Sequence, residues 1–155
     1  MCIIVDPPLF IPMFKNTDPN HEKYAPVAKW VKLKDGKFII GGTTYKNELS
    51  RLNSILGILT EFARLGKIVR MEDKAVDLAV LDVQKIESSP NFDDPHLVAL
   101  VRVSGCRLIC VHDPRSHKYL RDGRFYNSLR NRPSLYTRPK NQHLLCSNNI
   151  TNCCR

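Results

Sequence analysis

Four acidic residues of the chain lie beside apolar segments, in positions suited to binding a divalent cation. Asp6 directly follows a short apolar run, and Asp113 lies two residues after the end of another. Asp94 begins a helical pattern, and Glu48 lies near the start of another. Carboxylate oxygens are the ligands that Mg²⁺ and Mn²⁺ prefer. A cation held in this way lowers the pKa of a bound water and binds phosphate oxygens.

Short apolar runs predict strands, and segments with apolar residues every three or four positions predict helices. The predicted strands are residues 2–5, 37–40, 68–70 and 107–111. The predicted helices run from residue 43 to a C-cap at Gly66, from 72 to 87, and from an N-cap at Asp94 to Gly105, with a short helical segment at 8–15. Alternating strands and helices predict an α/β protein, a three-layer α/β/α fold with a central parallel sheet.

This fold would bring the four acidic residues together. Ligands of open parallel sheets bind at the carboxyl ends of the strands, where Asp6 and Asp113 lie. A helix antiparallel to the strands begins near the same edge, which adds Asp94 and Glu48. Four converging carboxylates repel one another unless a cation joins them. The pattern therefore predicts a metal site formed by all four residues.

Each of these residues also has a purely structural alternative. Asp94 precedes Pro95, and together they are typical of an N-cap and the first position of a helix. Glu48 fits a solvated helix face. Asp6 and Asp113 each precede proline, so either could begin a turn. Taken singly the structural alternatives are favoured, whereas taken together the four residues favour the metal site.

Composition indicates one folded domain with an anionic partner. The chain has 155 residues, of which 43% are hydrophobic and 25% charged, and a formal net charge of +9. Such an excess of positive charge favours nucleic acid as the partner, but it is equally compatible with a soluble basic protein that has no anionic partner. Neither a glycine-rich GxGxxG loop nor a GxxxxGK[ST] loop occurs, which counts against a small-molecule-binding α/β regulator.

The ends of the chain and its cysteines favour a cytoplasmic protein. No apolar run is long enough to cross a bilayer, so no membrane partner is expected. The first residues lack the basic region of a signal peptide. The six cysteines are therefore expected to be reduced thiols, and their spacing fits a zinc site poorly.

A basic segment with interleaved aromatic residues follows the last predicted strand. Its candidates for RNA binding are Arg115, Lys118, Arg121 and Arg124. Cations that follow a nucleic-acid backbone beside stacking aromatics would suit single-stranded RNA. The same cations could instead neutralise the acidic residues, and the aromatics could complete the core. Residues 146–155 are predicted to be a polar, flexible tail after a domain spanning 1–145.

Several segments together resemble the PIN-domain ribonucleases. They are CIIVD at 2–6, YKNEL at 45–49, DDPHLVALVRVSGCRLICVHD at 93–113 and LYTRPKNQHLL at 135–145. The third is the most specific, because it joins an acid, a helix and a strand that ends in aspartate. The resemblance covers nearly the whole chain.

The resemblance implies a metal-dependent endoribonuclease that cleaves single-stranded RNA with Mg²⁺ or Mn²⁺. It assigns the family's catalytic and metal-binding acids to Asp6, Glu48, Asp94 and Asp113, with Asp93 as a possible helper. It also implies that the chain could be the toxin of a toxin–antitoxin system, with an antitoxin protein as partner, and that it could form a homodimer.

Two departures from the family pattern favour an alternative function. Pro7 and Pro8 follow the first acid where the family often has a small residue and Asn or Ser. Val111 and His112 precede the fourth acid where Thr, Ser or Asn is frequent. Both positions usually provide polar groups near the metal. The alternative is a non-catalytic PIN-like module that binds RNA or protein.

Overall fold

A computed structural model of the chain describes residues 2–146 and contains one parallel five-stranded sheet. The strands are β1 (Cys2–Val5), β2 (Lys37–Ile40), β3 (Ile68–Arg70), β4 (Leu108–Cys110) and β5 (Ser134–Tyr136). Their order across the sheet is β3-β2-β1-β4-β5, and every pairing is parallel. All four residues of β1 are fully buried. Because successive strand residues point to opposite faces, both faces of the sheet are covered.

Seven α-helices connect and flank the strands, giving the expected three-layer α/β/α fold. They are α1 (Phe10–Phe14), α2 (His21–Leu33), α3 (Thr43–Ser50), α4 (Asn53–Arg64), α5 (Asp73–Ile86), α6 (Pro95–Ser104) and α7 (Pro114–Leu120). Short 3₁₀ helices span Pro7–Leu9, Gly123–Phe125, Leu129–Asn131 and Pro139–Leu144. No helix within residues 2–146 has the length and apolar character needed to cross a membrane.

The predicted helix between β2 and β3 is two helices. Leu52 leaves the helical conformation, with φ −93° and ψ 57°, and becomes the N-cap of α4. The buried face of α4 consists of Ile55, Leu59 and Phe62. Leu56, predicted to be on that face, is 37% exposed. The apolar spacing runs through the break without a glycine or proline to mark it, which is why the sequence predicts a single helix.

The structure confirms some of the remaining sequence predictions and contradicts others. The apolar face of α6 is buried as predicted, and Gly105 ends that helix with a φ of 66°. On α5, Leu78 is 54% exposed although it fits the apolar spacing of the helix, whereas Val76 is buried. Cys2 is disulfide-bonded, so the expectation of reduced thiols throughout is wrong, whereas Cys110 and Cys146 are free thiols. The predicted flexible tail lies outside the described residues from position 147 onward.

The strand order reverses between β1 and β4, and this position determines where a ligand fits. From β1 the chain proceeds outward through β2 to β3, then returns to place β4 on the other side of β1. The loops at the carboxyl ends of β1 and β4 therefore diverge and leave a crevice between them. Asp6 directly follows β1, and its backbone N–H donates to the Cys110 carbonyl at the end of β4 at 2.9 Å.

Candidate metal centre

Asp6, Glu48, Asp94 and Asp113, which we call the acidic site, interact electrostatically around the crevice. Burial, followed by the charges of Asp94, Glu48 and Asp113 in that order, raises the pKa of Asp6 to about 7. Like charges affect a carboxyl in this way only when they lie close to it. Asp94, Glu48 and Asp113 therefore each lie within electrostatic range of Asp6.

Glu48 and Asp94 share this unfavourable environment. Burial and the charge of Asp94 raise the pKa of Glu48, while Arg51 lowers it. Burial, Asp93 and Asp113 raise the pKa of Asp94. Neither carboxyl has enough positive charge nearby to offset its loss of water. A cation between them would supply that charge.

The start of α3 is fixed by a glycine, and this fixes Glu48. Gly42 has a φ of 86°, which only glycine adopts without strain, and a Cβ there would lie 2.6 Å from Val76 Cγ1. Its N–H donates to Asp73 at 3.0 Å. Further along α3, the Tyr45 hydroxyl donates to the Val5 carbonyl at 2.5 Å. This bond attaches α3 to the end of β1, one residue before Asp6.

The structural alternative for Asp94 can be tested against its contacts. Asp94 occupies the N-cap position of α6, yet its side chain accepts no hydrogen bond from the helix. Asp6 likewise precedes the Pro7–Leu9 turn without capping it. Since capping requires that hydrogen bond, it does not account for either side chain. Neither carboxylate is used to cap a helix, so both are available to bind a ligand.

Asp113 does act as an N-cap, and it is paired with a cation. Its side chain accepts from the Arg115 backbone N–H at 2.9 Å and from the guanidinium at 2.9 and 2.7 Å. These bonds hold the pKa of Asp113 below its usual value. Arg115 also lies 3.9 Å from Asp93, which is 59% exposed. Arg115 therefore neutralises one side of the acidic site, and Asp113 would have to exchange this partner to bind a metal.

His96 contributes a polar atom that the sequence analysis did not assign to the site. It is the second residue of α6, two positions after Asp94, and its Nε2 is 3.5 Å from Glu48 Oε2. This atom is buried and has no hydrogen-bond partner. Burial lowers the pKa of His96 to about 4, so the ring is neutral. The signal available in the sequence was a histidine on the otherwise apolar face of a helix that begins with an acid.

The donor set suits a hard divalent cation without forming a complete cage. Within residues 2–146, no three His, Cys, Asp or Glu side chains are arranged as a ready group of metal ligands. The carboxylates with raised pKa are nevertheless oxygen donors of the kind that Mg²⁺ and Mn²⁺ use, and Mg²⁺ usually keeps several waters. Asp6, Glu48 and Asp94 would hold the ion, joined by Asp113 once it is released from Arg115.

The four predicted RNA-binding residues differ in their contacts. Arg115 is engaged by Asp113, and Arg124 donates to both Asp122 and Glu87 at 2.7 Å. Lys118 lies over the Tyr119 ring at 4.6 Å. Among the four, the two arginines 115 and 124 are thus already paired with carboxylates. Arg121 has no such ion pair within the described chain.

Arg121 lines a cavity of about 390 Å³ with a second arginine, Arg132. Ser134, Asn141 and His143 add polar groups, and no carboxylate lines this cavity among residues 2–146. Neither guanidinium forms an ion pair within that part of the chain. This combination of concave shape and two guanidinium groups suits a phosphate group.

Comparisons of the chain with protein-family models, curated proteins and solved structures find no match. The fold and the acidic site therefore rest on the geometry above. The resemblance to PIN-domain ribonucleases remains an expectation from the sequence.

Proposed function

We propose that this chain is a metal-dependent endoribonuclease that hydrolyses phosphodiester bonds of single-stranded RNA. One observation carries the proposal: Asp6, Glu48 and Asp94 have raised pKa values at the crevice between β1 and β4, and neither Asp6 nor Asp94 caps a helix. Uncompensated acids at such a crevice are costly unless they bind a cation. The fold, the net charge of +9 and the resemblance support the same function.

The residues of the acidic site have separate roles in this proposal. Asp6 directly follows β1, Glu48 lies on α3 and Asp94 is the N-cap of α6, and together they would hold the ion. A bound Mg²⁺ or Mn²⁺ supplies a deprotonated water and offsets charge on the scissile phosphate. Asp113 would hold the ion only in place of its pairing with Arg115, whose guanidinium would then be available to a phosphate oxygen.

The RNA strand would extend from the acidic site along α7 to the Arg121–Arg132 cavity. Asp113 caps the start of α7, and Arg121 follows its last residue. A helix of this length, seven residues, spans about 10 Å at 1.5 Å per residue. A strand held at both points would present one phosphodiester to the acidic site while a neighbouring phosphate occupies the cavity.

Cleavage of a mixed pool of single-stranded RNA tests the function. We expect cutting with Mn²⁺ or Mg²⁺ by the wild type, loss of cutting in Asp6→Asn and in Asp94→Asn, and none with a chelator. Asp82→Asn is the matched control, because Asp82 is a largely exposed aspartate on α5, paired only with Lys85. Metal-dependent cutting that persists in both active-site variants would refute the proposal.

A non-catalytic RNA- or protein-binding module is the second candidate. The Arg115–Asp113 pair favours it, because an acid already bound to arginine is less available to a metal. Pro7, Pro8, Val111 and His112 replace residues that are more polar in the family pattern. RNA binding without cutting, unchanged by Asp6→Asn, would establish this candidate and exclude the nuclease.

The remaining proposals concern partners and location. Those that rest on the resemblance are a toxin role with a neutralising antitoxin protein and a homodimer. Residence in the cytoplasm is a further proposal, which rests on the sequence analysis and not on the resemblance. Arrest of growth on expression, relieved by a protein encoded beside this chain, would support the toxin role. Light scattering on the purified protein would determine whether it forms a dimer.

A further inference from the structure

His96 is a buried histidine whose Nε2 atom lacks a hydrogen bond. The residue is 3% exposed, and the atom is one of two buried side-chain nitrogens or oxygens without a partner in residues 2–146. Buried polar atoms are normally hydrogen-bonded, so each exception requires an explanation. The carboxylate of Glu48, 3.5 Å away, lies at the outer limit of a hydrogen bond.

The surroundings fix the orientation of the His96 ring. Tyr45 packs against it at an angle of 62°, with 6.3 Å between ring centroids. Tyr45 is itself tied to the Val5 carbonyl. The ring therefore lies between α6 and α3 and directs Nε2 at Glu48. An ionised carboxylate only accepts hydrogen bonds, so a neutral imidazole facing it contributes favourably by donating an N–H.

We infer that His96 is a positioning residue that donates its Nε2–H to Glu48 and orients this carboxylate toward a bound divalent cation. This inference rests on the proposed function. Carboxylates that bind metals are themselves held by hydrogen bonds, and loss of such a bond weakens metal affinity by roughly 10- to 100-fold. Since Asp94 and His96 both lie at the start of α6, the contact also fixes the position of Glu48 relative to Asp94.

Binding of Mn²⁺ to the full chain, measured by calorimetry and by electron paramagnetic resonance of free Mn²⁺, tests the inference. His96→Leu removes the donor, whereas His96→Gln keeps an amide N–H at about the same reach. Val98→Ala is the matched control, because Val98 is fully buried on the same helix and offers no polar group. Glu48→Gln, alone and combined with His96→Leu, determines whether the effect of His96 passes through Glu48.

We expect His96→Leu to weaken Mn²⁺ binding by about 10- to 100-fold. His96→Gln should retain most of the affinity, and Val98→Ala should lower the melting temperature while leaving Mn²⁺ affinity unchanged. In the Glu48→Gln background, His96→Leu should cause no further loss. Equal affinity in wild type and His96→Leu would overturn the inference and leave the proposed function standing. Equal weakening by both His96 variants would also overturn it, because the donor would then be irrelevant.

The wild-type protein provides a second readout that does not depend on a folded His96→Leu variant. Titration with Mg²⁺ should shift the ¹⁵N resonance of His96 Nε2 as its hydrogen bond to Glu48 shortens, and Asp6→Asn should abolish that shift. An Mg²⁺-insensitive His96 resonance in a protein that binds Mg²⁺ would overturn the inference alone. A wild-type chain that binds neither Mn²⁺ nor Mg²⁺ would overturn the proposed function, and the inference with it.

Discussion

Replacing Asp6 with asparagine should stabilise the metal-free protein, by an amount that grows with pH. The folded-state pKa of Asp6 is about 7, against an ordinary value of 3.8. Between pH 3.8 and about pH 7, Asp6 has lost its proton in the unfolded chain but keeps it in the folded protein. The favourable contribution of protonated Asp6 is therefore complete below about pH 4 and is lost as the pH rises through about 7. At 1.36 kcal/mol for each pH unit, the full loss is about 4 kcal/mol.

The assay is urea unfolding of wild type and Asp6→Asn, followed by the fluorescence of Trp30, the only tryptophan, which is buried. The difference in unfolding free energy between the two proteins should increase by about 3 kcal/mol between about pH 4.5 and about pH 8. Asp82→Asn should show no such increase. Saturating Mn²⁺, at about 100 times its dissociation constant, should add about 2.7 kcal/mol to the wild type at the higher pH and little to Asp6→Asn. A difference that stays constant with pH would refute the buried, uncompensated state of Asp6.

Three further predictions concern the residues around the site. Arg115→Gln should raise the pKa of Asp113 toward its ordinary range, because the guanidinium holds it down, and carboxyl ¹³C titration measures this. Arg121→Ala and Arg132→Ala should each reduce the slope of log K against log salt for single-stranded RNA by roughly one, since each removes about one phosphate contact. Gly42→Ala should lower the unfolding free energy by more than about 1 kcal/mol, because its φ of 86° is strained for alanine, and urea unfolding measures this.

Each of these predictions has a matched control or a contradicting result. Unchanged Asp113 titration in Arg115→Gln would mean that the ion pair does not form in solution. Arg130→Ala removes an exposed arginine outside the Arg121–Arg132 cavity. If it reduces the slope of log K against log salt as much as the cavity variants do, RNA binding depends on the overall positive charge and not on the cavity. Gly57→Ala is the control for Gly42, since a Cβ at Gly57 meets nothing within 4 Å.

The sequence predicts the first four strands because each is a short run made mainly of apolar residues. It does not predict β5, whose three residues lie between Pro133 and the basic Thr137–Lys140 stretch and receive their order from pairing with β4. The sequence also does not predict helix α2, because Pro26 lies inside this helix and its apolar residues are mixed with lysines. In both cases tertiary contacts outweigh local preference.

The acidic site is predictable as a set but not in its details. The positions of Asp6 and Asp113 after strands and of Asp94 at a helix start follow from the α/β alternation, which the fold confirms. Glu48, predicted near the start of a long helix, is instead the sixth of the eight residues of α3. Spacing could not reveal that Arg115 turns back onto Asp113 rather than facing a ligand. It also could not identify His96 as a neighbour of Glu48, because that contact joins helices separated by almost fifty residues of chain.

The carboxylates with shifted pKa values fall into two groups, and the division itself argues for a ligand. Those with lowered pKa all accept hydrogen bonds from arginine, lysine or backbone N–H groups, and they are Asp73, Glu87, Asp113 and Asp122. Those with raised pKa are Asp6, Glu48 and Asp94, which come from three separate elements yet lie together. The first group shows that this chain readily pairs its acids with its abundant cations. Because the second group forms no ion pair with lysine or arginine within residues 2–146 of a strongly basic protein, it supports the proposal that a divalent cation supplies the missing positive charge.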